Sequence, residues 1–358
     1  MSISVAAVVV TYNRKALLQE CLEAILRQTA AVEKIILIDN ASTDGTPEML
    51  RESGLMDRPQ MQYVRMVENT GGAGGFYEGL RIGRECGCKA LWLMDDDTIP
   101  QEDALEKLLR AAELLEPAGE QTATSRATES AADDICSFRA ANAAADCRKD
   151  ARAEDDPSVE SPVSFLASCV YGPGGECMNA AKLDRTPEAN GSEGWYRYLG
   201  QGLLQIESAT FVSVLIRTEA VRRCGLPCRD YFIWGDDVEY TNRLTHYYGK
   251  AYLVGESRVV HKRAGTAALN IAYETDPSRI RMFHYDYRNQ AINNRFYKKG
   301  MGTAANVIRN VFTAFRMLRE EKGFLKARTI LQGTMEALIS YPRFRDCIEA
   351  QLRTGENQ

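Results

Sequence analysis

The stretch Ala90-Leu-Trp-Leu-Met-Asp-Asp-Asp-Thr98 decides the fold, because an apolar run of strand length ends in three consecutive aspartates. A short, continuous apolar run is typical of a strand that is buried on both faces of a parallel sheet. Ligands of open α/β sheets bind outside the carboxyl ends of the strands. The stretch therefore predicts a buried strand that carries an acidic cluster into a binding crevice.

Three predicted strands precede this one, and each ends within three residues of a polar residue. The runs and their polar residues are Val5–Val10 with Thr11, Lys34–Ile38 with Asp39, and Met61–Met66 with Asn69. Helical periodicity lies between them, as over residues 15–28. Strands that alternate with helices predict an α/β fold with a mainly parallel central sheet, so these polar residues should converge on one crevice.

The rest of the chain divides by composition. Residues 116–162 are rich in Ala, Ser, Thr, Asp and Glu without a period, and we interpret them as a mobile low-complexity insertion. From Pro277 onward the pattern is helical. We therefore expect a catalytic domain over residues 1–265 and a C-terminal helical region over residues 266–358.

Overall composition excludes some classes of function. A net charge of -5 over 358 residues gives no global basic field, which argues against nucleic-acid binding. No apolar run approaches the roughly 18 to 20 residues of a membrane span. Ten scattered cysteines without a signal peptide favour a reduced, cytosolic location, with peripheral contact to the inner face of the cell membrane as an added expectation.

The aspartates after the fourth run suggest a metal site. Carboxylates alone would repel a diphosphate, whereas carboxylates that hold Mg2+ or Mn2+ attract it, because these cations accept carboxylate and phosphate oxygens together. Asp95 and Asp97 are two residues apart, so a strand end can direct one to nucleotide and the other to metal. The alternative is a solvated acidic turn.

Two further segments carry candidate chemistry. The glycines of Gly71–Gly75 permit close backbone approach to a ligand, although a flexible turn at a helix start is the alternative. Asp236, Asp237 and Glu239 stand at a helix start, where a carboxylate acts either as a general base or as a helix cap; we favour Asp237 as the base.

A histidine also stands at a strand end. His261 follows an apolar pair and precedes Lys262 and Arg263. A lone histidine is usually structural, but here we predict a third metal ligand, with the basic pair available to a diphosphate.

Taken together, the motifs resemble family 2 inverting glycosyltransferases of the GT-A fold, the Rossmann-like fold of nucleotide-diphospho-sugar transferases, over roughly residues 3–265. The similarity is greatest to the bacterial galactofuranosyltransferase and rhamnosyltransferase branch. The segments that carry the resemblance are Val9–Arg14, Ile38–Gly45, Asn69–Phe76, Leu93–Thr98, Phe232–Tyr240 and Val260–Lys262.

The resemblance implies a role for each matching residue. For the donor, these are Thr11 and Arg14 beside the nucleotide, Asp39 at the pyrimidine, Asn69, Gly71 and Gly72 in the pocket, and Asp95 and Asp96 at the nucleotide sugar. For the metal, Mn2+ or Mg2+, they are Asp95, Asp97 and His261. For the acceptor side they are Asp237 as catalytic base, with Trp234 and Asp236 nearby.

The activity so implied is single-displacement transfer of galactofuranose from UDP-galactofuranose to a cell-envelope or lipid-linked glycan, as in cell-wall or capsule polysaccharide synthesis. Related enzymes use dTDP-rhamnose, which is the alternative donor. Two other classes remain open: a sugar nucleotidyltransferase and a catalytically inactive nucleotide-sugar-binding module.

The C-terminal helical region is locally basic, with aromatic residues interleaved from Arg279 to Arg328. Such a pattern suits an anionic membrane surface. It equally suits helices that pack on the catalytic domain or on a second copy in a homo-oligomer, and the sequence does not separate these alternatives.

Overall fold

The computed structural model describes residues 3–116, 162–188, 191–263, 270–298 and 301–356. Within these ranges, eleven strands form one sheet flanked by helices. The strands are β1 (Val5–Thr11), β2 (Lys34–Asp39), β3 (Met61–Arg65), β4 (Ala90–Asp95), β5 (Thr98–Pro100), β6 (Val163–Tyr171), β7 (Cys177–Met178), β8 (Lys182–Leu183), β9 (Leu203–Ser208), β10 (Val214–Arg217) and β11 (Lys250–His261). The α-helices are α1 (Lys15–Leu26), α2 (Thr46–Glu52), α3 (Gly71–Gly83), α4 (Ala104–Leu114), α5 (Thr218–Cys224), α6 (Asp236–Tyr247), α7 (Pro277–Lys298), α8 (Met301–Met317) and α9 (Gly323–Glu356).

The sheet is mixed, which corrects the expectation of a mainly parallel one. Its order is β3-β2-β1-β4-β10-β6-β11-β9-β8, with β5 beside β11 and β7 beside β6. The first four strands are parallel as predicted, whereas β10 runs antiparallel to both β4 and β6. Since β1, β2 and β4 are parallel neighbours, their carboxyl ends share one edge.

Alternate residues of each central strand feed two cores. In β1, Val5, Ala7 and Val9 pack on the face covered by α1 and α4. Its remaining apolar side chains pack on the opposite face, which α3, α5 and α6 cover. Burial on both faces explains the continuous apolar runs, because no strand position at the centre of this sheet faces water.

The glycine run forms the first turn of a helix, where the sequence suggested a loop before a helix at Phe76. α3 begins at Gly71 and lies close to the sheet. A Cβ atom on Gly75 would lie 2.4 Å from Cγ1 of Val10, so any larger residue there would push the helix off β1. Gly75 therefore serves helix–sheet packing, whereas a Cβ atom on Gly71 would meet the Phe232 carbonyl of the loop before α6.

Other boundaries also differ from the sequence-based prediction. The sequence predicts two short strands over Ala251–Val254 and Arg258–His261, but one bulged strand, β11, contains both. It also predicts a strand region over Ile206–Ile216, which the structure splits between β9 and β10. The expected insertion falls, apart from its end residues, outside the described residues. So does the predicted domain boundary at residue 265, and the division into domains stays a prediction.

The C-terminal helices pack together and onto the sheet domain. Ile292 of α7 and Phe344 of α9 share a core with Tyr231, which precedes α6. Among the described helices, none is long and apolar enough to cross a membrane.

Candidate active site at the strand ends

A crevice of about 1230 Å³ opens at the carboxyl ends of β1 and β4. Among its lining residues are many of the predicted site residues, namely Thr11, Arg14, Asn69, Gly71, Gly72, Asp95, Asp96, Asp97, Trp234, Asp236, Asp237 and His261. The fold thus brings together residues as distant in the chain as Thr11 and His261. The volume exceeds that of an ordinary small-molecule pocket, roughly 300 to 1,000 Å³, and leaves room for two ligands.

Asp96 ties the two central strand ends together. Its Oδ2 accepts hydrogen bonds from Thr11 Oγ1 at 2.7 Å and from the Tyr12 amide at 3.3 Å, and its Oδ1 lies 3.2 Å from Arg14 Nη1. Burial raises the pKa of Asp96 to about 6 despite the nearby guanidinium of Arg14. The side chain therefore positions the loop after β1, and its contact with donor stays a prediction.

The atoms of a metal site come together on Asp95, Asp97 and His261. One ligand atom from each lies within 4.8 Å of the other two. A single small divalent ion spans a little over 4 Å between opposite ligands, so the three groups fit such an ion after a small adjustment. Two carboxylates and an imidazole are also a donor set that Mn2+ accepts.

Asp97 supports this fit with an unpaired buried atom. Its Oδ2 accepts a hydrogen bond of 2.7 Å from Arg14 Nη1. Its Oδ1 lies 3.0 Å from Nε2 of His261 but has no hydrogen-bond donor among the described residues. A buried carboxylate oxygen without a donor is costly unless a proton or a cation lies beside it.

The opposite ring nitrogen of His261 indicates how the imidazole is oriented. Nδ1 lies 3.1 Å from the Asn179 Oδ1, so with that amide as placed Nδ1 carries the hydrogen. Nε2 then directs a lone pair, or a second proton, toward Asp97. The pairing of β5 with β11 sets His261 opposite Thr98, one residue beyond Asp97. Asn179 is a supporting residue that the sequence did not reveal, because β7 has no recognisable motif.

Electrostatics separate the roles of the carboxylates. Burial, together with Asp97 and Asp96, raises the pKa of Asp95 well above its ordinary value. Burial opposes ionisation of Asp97 as well, but the imidazole of His261 and the guanidinium of Arg14 outweigh it and lower the pKa of Asp97. A bound cation would stabilise both carboxylates in their ionised forms.

The second acidic cluster has two distinct parts. Asp236 and Asp237 lie in the first turn of α6, facing the crevice, and neither caps the helix through its side chain. Glu239 points the other way and is fully buried: its carboxylate pairs with Arg243 and accepts a hydrogen bond of 2.9 Å from Tyr297. Glu239 is thus a structural residue, and the two aspartates are the ones available for chemistry.

Asp237 has the properties of a general base. Burial raises its pKa to about 6, while the backbone amide of Val238 donates to its Oδ1 at 2.7 Å. Burial and the neighbouring Asp237 raise the pKa of Asp236 well above its ordinary value. The charge of Asp237 also contributes to the raised pKa of Asp95, so the two acidic clusters are within electrostatic reach. The catalytic role of Asp237 stays a prediction.

The loop before α6 has an unusual backbone. Phe232 and Trp234 adopt positive φ angles of 66° and 60°, followed by Gly235 at 89°. Non-glycine residues in this region cost roughly 1 to 3 kcal/mol each, and they persist only where surrounding structure holds them. The Trp234 ring lies against Phe283 of α7 at a centroid distance of 5.2 Å.

Helix α7 supplies the contacts that hold this loop, and the sequence did not indicate them. Asn289 donates to the carbonyl oxygens of Tyr231, Ile233 and Trp234 at 3.1, 2.9 and 2.6 Å. Asn293 donates to the Gly235 carbonyl at 2.8 Å and accepts from the Tyr231 hydroxyl at 2.7 Å. A polar pair at positions i and i+4 of a helix is the only sequence signal, and it is too common to interpret alone.

Asp39 lies at the end of β2 but not among the residues that line the crevice. Its Oδ1 accepts from the Ser42 amide and its Oδ2 from the Tyr63 hydroxyl, both at 2.7 Å. Both oxygens thus already bind the protein, and base recognition by Asp39 stays a prediction. Its neighbour Asn40 does line the crevice and bonds the Gly71 carbonyl at 2.9 Å, joining β2 to α3.

The basic pair after His261 separates in space. Lys262 pairs with Glu20 on α1 and lies away from the crevice. Arg263 lines the crevice and is close enough to Asp97 for their opposite charges to attract each other. Arg279 of α7 lies on the same wall. Of the predicted diphosphate-binding pair, only Arg263 is therefore placed to contact a ligand.

Comparison with known proteins gives this site a context. Residues 6–129 match the family described as Glycosyl transferase family 2. Over 109 residues the chain is 36% identical to galactofuranosyltransferase GlfT1 of Mycolicibacterium smegmatis, covering 30% of this chain and 35% of that protein. Over 108 residues it is 30% identical to glycosyltransferase GlyG of Streptococcus pneumoniae serotype 4, again covering 30% of this chain and 35% of that protein. The chain spans about a third of the length of the curated relatives it matches.

A solved structure confirms the fold. The structure of GalNAc-T7 with UDP, GalNAc and Mn2+ is similar with a TM-score of 0.50 and 14% identity, over 81% of this chain and 51% of that one. At this identity the likeness concerns the fold alone. The chain is therefore similar to family 2 glycosyltransferases over residues 6–129, and its described residues form a GT-A-like α/β fold with a C-terminal helical region.

Proposed function

We propose that this protein is a metal-dependent inverting glycosyltransferase that transfers galactofuranose from UDP-galactofuranose to a hydroxyl of a cell-envelope or lipid-linked glycan. One observation carries the proposal: the Asp95, Asp97 and His261 cluster and the separate Asp237 carboxylate line the same crevice. Transfer needs two such centres, one for the leaving diphosphate and one for the attacking hydroxyl.

On the donor side, the residues of β1 and β4 bind the nucleotide diphosphate. Asp95, Asp97 and His261 would hold a divalent cation, Mn2+ or Mg2+, which would supply positive charge to the leaving diphosphate. The guanidinium of Arg14 offsets the negative charges of Asp96 and Asp97. Arg263 offers a further positive charge to the phosphates. Thr11, Asn69 and the glycines of the first turn of α3 line the nucleotide sugar.

On the acceptor side, Asp237 accepts the proton of the acceptor hydroxyl, while Trp234 and Asp236 orient the acceptor sugar. A base whose pKa is about 6 is ionised at neutral pH and still basic enough to take a proton in the transition state. The hydroxyl oxygen bonds to the anomeric carbon as the bond to the diphosphate breaks on the opposite side, so the anomeric configuration inverts.

The choice of donor rests on a partial similarity. The 36% identity to a galactofuranosyltransferase extends over 30% of the chain, so dTDP-rhamnose is the alternative donor. We place the reaction at the cytoplasmic side of the membrane, in keeping with the scattered cysteines of the sequence.

A donor screen with an active-site variant tests this function. Wild-type protein with Mn2+ should bind UDP-galactofuranose more tightly than dTDP-rhamnose, UDP-glucose or UDP-galactose in calorimetric titration. Asp237→Asn should bind that donor within about twofold of wild type but transfer about 10²- to 10⁴-fold more slowly. Asp57→Asn, at an exposed turn, is the matched control and should transfer normally.

Each other outcome has a definite meaning. Tight binding of dTDP-rhamnose alone would replace the donor. Release of pyrophosphate from a nucleoside triphosphate would indicate a nucleotidyltransferase. Donor binding without metal-dependent hydrolysis or transfer under any condition would indicate a binding module. Full activity of the Asp237→Asn variant would exclude Asp237 as the base.

A further inference from the structure

Helix α8 exposes a stripe of large apolar side chains. Ile308, Phe312 and Phe315 recur at helical spacing, and the two phenylalanines are 70% and 66% exposed. Asn310 and Ala314, on the opposite side of the helix, are buried. The stripe therefore faces solvent, on the side of a helix that in a folded protein ordinarily carries polar residues.

Helix α9 carries a matching stripe. Leu331, Met335, Leu338 and Ile339 are exposed, with Ile339 at 78%, whereas Ile330, Thr334 and Ala337 in the same turns are buried. Phe324, one to two turns earlier, is also exposed. The two helices pack together through their buried sides, since Asn310 donates a hydrogen bond of 3.0 Å to Thr334, so both stripes lie on the outer side of the helical region. We call these exposed apolar residues and their flanking arginines the α8–α9 surface.

Basic residues border the stripes. Arg316 and Arg319 follow Phe315, and Arg328 precedes Leu331 by one turn; all three are exposed. Within the described part of the chain, no carboxylate lies at ion-pair distance from any of these three arginines. Glu336, the acidic residue within the α9 stripe, is already paired with Arg288 at 2.8 Å.

We infer that the α8–α9 surface lies on an anionic lipid bilayer. Apolar side chains at the acyl boundary and arginines at the headgroups are the arrangement of helices that rest on a membrane without crossing it. A second copy of the chain fits less well, because a two-fold contact through this surface would set like charges against each other. Anionic lipid supplies the opposite charge.

Of the basic and aromatic segment from Arg279 to Arg328, the part on α7 packs against the rest of the protein and does not contribute to the membrane contact. On α7, Phe283 is buried and Arg288 is buried against Tyr231 and Asp230, while Lys326 at the start of α9 is buried against Ala272. These residues thus pack the helices onto the sheet domain, whereas the outward side of α8 and α9 makes the membrane contact.

The α8–α9 surface adjoins the crevice. Arg309 lines the crevice and follows Ile308 directly in α8. A bilayer on this surface would hold a lipid-linked acceptor beside the site, and that one consequence rests on the proposed function. The membrane contact itself does not.

Vesicle sedimentation tests the inference without donor or acceptor. Wild-type full-length protein should sediment with vesicles of phosphatidylglycerol and phosphatidylcholine in equal parts, but not with phosphatidylcholine alone. The combined Phe312→Ser, Phe315→Ser and Ile339→Ser variant should lose at least about tenfold in partitioning, as should Arg316→Glu with Arg319→Glu. Matched controls at exposed sites of the sheet domain are Val67→Ser with Leu114→Ser, and Arg58→Glu.

Thermal midpoints of the variants show whether they are folded, and these should stay near that of wild type because all substituted side chains are exposed. Sedimentation of the variants equal to wild type, or absence of wild type from anionic vesicles, would overturn the inference. A wild-type dimer in light scattering that becomes a monomer in the serine variant, without vesicle binding, would assign the surface to a second copy instead. Wild-type protein that binds anionic vesicles but transfers no sugar would count against the proposed function alone.

Discussion

The side-chain amide of Asn289 donates a hydrogen bond of 2.6 Å to the carbonyl oxygen of Trp234, so a helix outside the predicted catalytic region holds the loop that leads to Asp236. The same amide serves two more carbonyls, and the loop it binds contains two non-glycine residues with positive φ. The strained loop therefore depends on α7. The C-terminal helical region is part of what shapes the acceptor side of the crevice.

Replacement of Asn289 by alanine should impair transfer more than donor binding. The carbonyl oxygens of Ile233 and Trp234 lose the Asn289 amide as donor, whereas that of Tyr231 keeps Arg288 and the Ile233 amide. The loss should lower the free energy of unfolding by about 2 kcal/mol and release the loop. We expect kcat to fall at least tenfold, with donor affinity by calorimetry within about threefold. Asn310→Ala, a buried asparagine between α8 and α9, is the control: it should lose stability but keep kcat. An equal kcat loss in both variants would reduce Asn289 to a stability role.

Glu239→Gln should separate the structural carboxylate of α6 from the chemical one. The substitution leaves Arg243 charged, fully buried and without its ionic partner, which should lower the free energy of unfolding by about 3 kcal/mol. Below its melting temperature the variant should keep most of its kcat. Asp237→Asn should show the reverse, with a melting temperature near that of wild type and little transfer. Denaturant unfolding and initial rates give both quantities, and inactive but stable Glu239→Gln protein would reassign the base.

Removal of metal ligands should be graded. Mn2+ binding, followed by the electron paramagnetic resonance signal of the free ion, should be lost in Asp97→Ala and His261→Ala. Asn179→Ala should weaken it by about 10- to 100-fold, because the imidazole loses the partner of its Nδ1. Asn270→Ala, in an exposed turn, is the control. Wild-type Mn2+ affinity in His261→Ala would leave His261 as a packing residue.

The pH dependence of kcat should report Asp237. A general base works in its ionised form, and burial raises the pKa of this carboxyl to about 6. Activity should therefore be full above about pH 7 and fall about tenfold per unit as the pH drops below about 6. Circular dichroism at each pH controls for unfolding. A rate that stays constant down to about pH 5 in folded protein would exclude a base with this pKa.

Much of the site followed from the sequence because its residues stand at strand ends. An apolar run shows a buried strand, and the residue after it must lie at the sheet edge. Thr11 and Asp95 are predicted in this way, and both line the crevice. Asn69 also lines the crevice, although it follows the partly exposed strand β3 after three further residues. The same logic was less successful for Asp39, whose carboxylate turns into the loop after β2 to bind Ser42 and Tyr63.

The parts that the sequence did not reveal depend on long-range packing. Asn289 and Asn293 look like ordinary helix residues until α7 is set against the loop before α6. Asn179 directly follows the two-residue strand β7, which has no pattern of its own. Glu239 could be told apart from Asp237 only by its buried pairing with Arg243, since helix periodicity does not say which side of α6 meets the crevice.

By itself, the sequence determined the order of the first four strands and their helices, the α/β class, the strand-end position of Asp95 and the helix-start position of Asp237, because hydrophobic period and length are local properties. Only the tertiary structure decided that β10 enters antiparallel, that Asp97 and His261 come within 3.0 Å, and that α7 braces the Trp234 loop while α8 and α9 leave apolar side chains exposed. These features arise where segments far apart in sequence pack together, and no local pattern specifies such contacts.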